Sequence, residues 1–376
     1  MVGAAAIGES ALGSVVPVVK KRTPTVREPR SLLFCRAMLS FIAERAKEDA
    51  DALVRPNGER LTYASLAMAS AAVMQALDGR VGEIGRRLVG IAVADAAGFV
   101  ASLLAVLEAG GVAMPLDLGR GEAALQDEVE RLRAVAVIVG DADEDRLDVI
   151  AGDAARRELP AESALALAAD GRRAIVGARP LGRAVDAIVA DAAWTAESRT
   201  SLHGDLSRPS QLVPLLATLR AGGTLVDAGA AATTPATTAC DLAETLRIGT
   251  FAEGILRPLP GCEFAFVDGE LLVDCPWPML GYLDDDAATR AAFVTRDGKA
   301  FVRASLAIER LLAAQPGVRE AAVLAFAHAG GARLAGFVSG AGATFGGAKV
   351  ATLESLPHAA DGTIDRGKLR RMSSAD

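Results

Sequence analysis

Between Leu88 and Asp141 the apolar residues change their spacing repeatedly, and that alternation restricts the fold more than any other feature. LVGIAV is a short unbroken apolar run, the pattern of a strand buried on both faces. FVASLLAVLEAG then puts Phe99, Leu103, Val106 and Leu107 at helical spacing, and Gly110 supplies a stop. GVAMPLD reads as a second strand. Residues 121–134 read as a charged helix with Leu125, Val129 and Leu132 facing inward, and VAVIVGD as a third strand. Strand, helix, strand, helix, strand predicts a mostly parallel, doubly wound α/β sheet.

The flanking segments are weaker. Residues 1–36 read as a mobile tail with basic residues among prolines, and 37–52 as an amphipathic helix with Leu39, Ile42, Ala43 and Ala46 on one face. Thr62 suits the cap of a following helix whose stripe is Leu66, Val73 and Leu77. Strands are expected near 174–176 and 185–190, then helix and strand over 211–227 and a low-complexity loop over 228–238. EFAFVDGELLV reads as a hairpin turning at Asp268-Gly269. From about 306, a helix carrying Ile308, Leu311 and Leu312 precedes apolar segments AAVLAF and ARLAGFVS, which suggests a small α+β lobe.

Composition narrows the function. With 51% hydrophobic residues in 376, one large core and a smaller one can be buried. A net charge of −7 without a basic stripe disfavours nucleic acid. No 20-residue apolar stretch is free of charge or proline, so no membrane span is expected, and the cytoplasm is the default location. Cys35, Cys240, Cys262 and Cys275 form no CxxC pair, and the three histidines are far apart, so neither a zinc site nor a disulfide framework is suggested.

Six blocks, in order, resemble the adenylate-forming superfamily, which includes acyl-CoA synthetases, nonribosomal adenylation domains and luciferases. ERLTYASL, VASLLAVLEAGGVAMPLD and LLATLRAGGTLV resemble the family's early and middle blocks. ILRPLPGCEFAFVDGELLV with PMLGYLDDDAATRAAFV resembles its "GrPlpG" and "GYxxxpexTaeaF" region. QPGVREAAVLAF and LPHAADGTIDRGKL resemble its small C-terminal lobe. The resemblance implies stacked α/β subdomains over about 37–300, in a shortened form, and a mobile lobe over 306–376.

The family joins AMP to a carboxylate, and each device for that chemistry has a counterpart to inspect. A Ser/Thr/Gly-rich loop with a lysine cradles the triphosphate. Its counterpart AAWTAESRTSLHG keeps hydroxyls at Thr195 and Ser198 but has Glu197 and Thr200 for glycines. A glutamate in "YGxTE" binds magnesium, and CDLAET offers Glu244 with Thr245 beside it and Cys240 in the aromatic position. An aspartate in "TGD" holds the ribose, and Ser305 stands in its place. A lysine in "GKidR" stabilises charge moving onto the α-phosphate, and Thr363 of GTIDR stands there, with Lys349 and Lys368 outside the motif.

Joint loss of these devices with the scaffold retained predicts a non-catalytic relative that needs no cofactor. Its expected partner is a protein: an active ligase relative, a carrier protein or a pathway enzyme. The alternative is a divergent ligase using ATP and Mg, with Glu244 as its metal ligand.

Overall fold

A computed structural model describes residues 40–141, 146–152, 158–202, 205–227 and 238–373. The tail over 1–36, Leu39, His203 and nearly all of the loop expected over 228–238 lie outside them.

The largest sheet has seven strands, and its centre is the doubly wound unit expected from sequence. Leu88–Ala92 pairs in parallel with Val112–Pro115 on one side and Ala136–Asp141 on the other. Ser163–Ala169 continues the parallel set beside Val112–Pro115, and Arg172–Gly177 and Gly281–Tyr282 extend that edge antiparallel. The chain leaves Leu88–Ala92 towards one neighbour and returns to the other, which makes its carboxyl end a topological switch point. Helix Ala96–Glu108 is buried on almost every face and ends at Gly110, whose φ is +70°. Helix Tyr63–Val81 is capped by Thr62, whose hydroxyl accepts from the Ser65 N–H at 3.1 Å. Beside the sheet, buried Glu128 pairs with both Arg173 and Arg120, and Arg173 also donates to the Pro115 carbonyl at 2.8 Å.

A second sheet orders Arg60–Thr62, Asp51–Val54, Thr224–Val226 and Arg199–Ser201. Here the expected helix over 37–52 is corrected. Among the described residues it covers 40–45 and a 3-10 turn, Ala46–Glu48, before Asp49 takes a left-handed φ of 51°. Asp51–Val54 is then drawn into strand pairing on both sides. Phe41 and Ile42 are buried, whereas Ala43 is exposed. The strand expected over 185–190 is also corrected: it lies inside helix Ala178–Asp191, where Leu181, Val185 and Ile188 make a buried stripe at helical spacing.

Hairpin Glu263–Val267 and Glu270–Asp274 turns at Asp268-Gly269, both at positive φ, and packs in a four-stranded sheet with Lys299–Arg303 and Phe293–Arg296. Helix Ala304–Ala313 follows without a linker; Ile308 and Leu312 are buried, but Leu311 is exposed. The last sheet joins Thr238–Leu242, Leu246–Ala252 and Ile255–Pro258 to Gly331–Gly340, Val318–His328 and Lys349–Leu353. Residues from the segment expected as a C-terminal lobe therefore share a ladder with 255–258, through Ile255 opposite Arg333 and Leu256 opposite Ala332. Among the described residues, no helix is long and apolar enough to cross a membrane.

Candidate functional site

The turn between Thr238–Leu242 and Leu246–Ala252 carries Glu244 and Thr245, both buried. Glu244 is only 4% exposed, yet it has partners. The Tyr282 hydroxyl donates to Glu244 Oε1 at 2.5 Å, and Arg310 donates to the same hydroxyl at 2.6 Å. Arg310 also lies 3.8 Å from Glu244 Oε1 and 5.6 Å from the Tyr282 ring centroid. Burial, then the neighbouring Glu244 carboxylate, pushes the Tyr282 phenol far up, so it stays a donor.

Local chemistry explains why Tyr282 sits there. In GYLDDDAATR, Asp285 caps helix Asp286–Ala292 through the Ala288 N–H at 2.8 Å, and Thr289 Oγ1 accepts from the Tyr282 N–H at 2.8 Å. Gly281, at φ +149°, leaves room that Thr289 would otherwise contest. Arg310 comes from helix Ala304–Ala313, and the Met279 N–H holds the Glu244 carbonyl at 2.7 Å.

One step along the same turn, Arg247 grips Asp241 with two bonds, of 2.7 and 2.9 Å, and both side chains are buried. Burial raises the Asp241 pKa from its ordinary value, against the pull of Arg247. Trp277 Nε1 donates to the Arg247 carbonyl at 3.0 Å. Neither Tyr282, Arg310 nor the Asp241–Arg247 pair stood out in the sequence as part of a site.

The remaining residues singled out by resemblance are dispersed. Thr195 and Ser198 close one turn on themselves: the Thr195 N–H donates to Ser198 Oγ at 2.9 Å and the Ser198 N–H to the Thr195 carbonyl at 3.0 Å. Ser305 is fully buried and accepts from the Leu271 N–H at 2.8 Å. Thr363 is exposed and bonds Asp361 with both its N–H and its hydroxyl, at 3.0 and 2.7 Å. Lys349 and Lys368 are exposed. Among the described residues, no group of three or more His, Cys, Asp or Glu side chains is placed to hold a metal ion.

Elsewhere, a crevice of about 290 Å³ opens at the carboxyl ends of Leu88–Ala92 and Val112–Pro115. Its walls are Val93, Phe99, Leu116 and Leu118, with Asp117 and, from the second sheet's side, Asp205 and Ser207. Asp117 accepts from the Gly119 N–H at 3.0 Å, and Asp205 from the Ser207 N–H at 2.9 Å. The crevice lies outside the carboxyl ends of parallel strands, the side on which open α/β sheets bind ligands.

These stacked sheets define the adenylate-forming α/β fold. Residues 41–194 match the family model of AMP-binding enzymes, and this match together with the fold supports the adenylate-forming superfamily. Apo MatB from Rhodopseudomonas palustris superposes with a TM-score of 0.60 at 16% identity, over 92% of this chain and 99% of that one. The o-succinylbenzoate CoA synthetase MenE from Bacillus subtilis gives 0.57 at 15%, over 88% and 97%. The nonribosomal peptide synthetase FmoA3, bound to AMPPNP, gives 0.59 at 18%, over 74% and 41%. No curated protein matches the sequence.

Proposed function

We propose that this chain is a non-catalytic adenylate-forming-fold protein that acts by binding, as a scaffold partner in the activation or assembly of acyl or other carboxylate groups. One observation carries the reading. Glu244, the carboxylate that the resemblance matches to the metal-binding glutamate, is buried against Tyr282 and Arg310, so a guanidinium takes the charge role of a divalent cation. The residues present do not fit Mg-ATP: Glu244 is committed, Ser305 is turned into the hairpin backbone, and Thr363 brings no cation. The partner classes that suit the reading are an active ligase relative, a carrier protein or a pathway enzyme, in the cytoplasm.

Pyrophosphate exchange against a broad panel of carboxylic acids tests this. No ATP- and acid-dependent exchange is expected, and clear exchange overturns the reading. The divergent-ligase alternative predicts Mg-ATP binding by calorimetry that Glu244→Ala abolishes. The crevice at the strands' carboxyl ends favours a further role in holding a small ligand with an apolar body. Thermal stabilisation by acyl compounds, without any by ATP, supports that role.

A further inference from the structure

Cys262 and Cys275 stand at the open end of the 263–274 hairpin. Its ladder runs from Val267 opposite Glu270 out to Glu263 opposite Asp274. One more step sets Cys262 opposite Cys275. The strands are still together a step beyond that, because a Cβ on Gly261 would lie 3.5 Å from Pro276 Cγ. Residues directly opposite in an antiparallel pair have Cα atoms about 4.5–5.5 Å apart. That falls within the range a disulfide can bridge without moving the backbone. Both cysteines are free thiols, each only 7% exposed.

We propose that Cys262 and Cys275 form a reversible dithiol–disulfide site, closed by a small peroxide and reopened by thiols. The proposal is independent of whether the chain binds nucleotide.

One of the two thiols, as its thiolate, attacks one peroxide oxygen, the O–O bond breaks, and hydroxide leaves and is protonated to water, giving a sulfenic acid. The second sulfur then attacks the first. The S–O bond breaks, and the departing hydroxide takes the second thiol's proton as a second water. The sulfurs lose two electrons and the peroxide gains them. Closure would fix the root of a segment in which Trp277 holds the Arg247 carbonyl and Met279 the Glu244 carbonyl.

The test is mass spectrometry of the intact wild-type chain, treated with hydrogen peroxide, quenched by alkylation and digested with trypsin. Both cysteines fall in one peptide, 248–290, because Arg257 precedes Pro258 and resists cleavage. The expected product is that peptide lighter by two hydrogen atoms and unalkylated, restored by dithiothreitol. Cys262→Ser and Cys275→Ser should each lose that product and stop at a dimedone-reactive sulfenic acid on the cysteine that remains. Full alkylation of both cysteines after peroxide overturns the proposal, as does a cross-link to Cys35 in place of the internal bond. The wild-type readout stands even if either variant misfolds.

Discussion

Two regions treat acidic groups in opposite ways. In the turn around Glu244, each of the two carboxylates meets an arginine from the same chain: Asp241 with Arg247, and Glu244 with Tyr282 and Arg310. In the crevice at the strands' carboxyl ends, Asp117 and Asp205 accept backbone N–H groups while lining open space. The first arrangement is closed chemistry, where charge is balanced internally and serves the fold. The second leaves carboxylate surface for something else to meet. The family resemblance directs attention to the first region, but the geometry favours the second as a place for a ligand.

If the turn is closed, removing an arginine there should cost far more than removing a carboxylate in the crevice. Arg247→Ala leaves Asp241 buried without its cation, and a loss of about 3–5 kcal/mol is expected from urea denaturation at neutral pH. Acidification should shrink that loss. Removing Arg247 raises the folded-state pKa of Asp241 further above its ordinary 3.8. Stability associated with the protonated form is then present below 3.8 and lost as pH rises through the raised folded value. A penalty that does not change with pH would mean that water reaches Asp241 and the region is not closed.

Tyr282→Phe is the next step down. It removes the hydroxyl that bridges Glu244 and Arg310, and about 1–3 kcal/mol should be lost. Phe keeps the ring under Arg310, so this loss isolates the hydrogen bonds from the packing. In the crevice, Asp205→Ala forfeits the Ser207 N–H bond and an ion pair with Arg208, whose side chain is 70% exposed. About 1 kcal/mol or less is expected there. If Asp205→Ala cost as much as Tyr282→Phe, the contrast between the two regions would collapse.

How much of this was legible follows from the range of the contacts. The doubly wound unit was legible because unbroken apolar runs and helically spaced ones alternate within one continuous stretch, 88–141. The short strand Asp51–Val54 was hidden, since its identity depends on pairing with Thr224–Val226, far along the chain. Ala178–Asp191 was missed through a fragment: 185–190 alone is apolar, and the helical stripe appears only with Leu181 included. The partners of Glu244 come from 282 and 310, and no local pattern joins them. Cys262 and Cys275 are the opposite case. A turn at Asp268-Gly269 already places positions whose numbers sum alike in register, so the pairing was implicit in the hairpin although the spacing matches no CxxC motif.

The smallest expected effect is also the sharpest on chemistry. Thr363 sits in an exposed turn whose shape rests on the Asp361 carboxylate accepting the Thr363 N–H, a bond that any side chain permits. Thr363→Lys gives up only the hydroxyl bond to Asp361 and should change stability by no more than about 0.5 kcal/mol. It also restores the cation that the resemblance places at this position. If the missing lysine were the only obstacle, pyrophosphate exchange would appear. With Glu244 held by Tyr282 and Arg310, no metal is positioned for the added charge to act beside, so none is expected. The informative comparison is Thr363→Lys alone against Thr363→Lys with Tyr282→Phe and Arg310→Ala. Exchange in the single variant would mean that the turn opens readily and that the contrast drawn between the two regions is wrong.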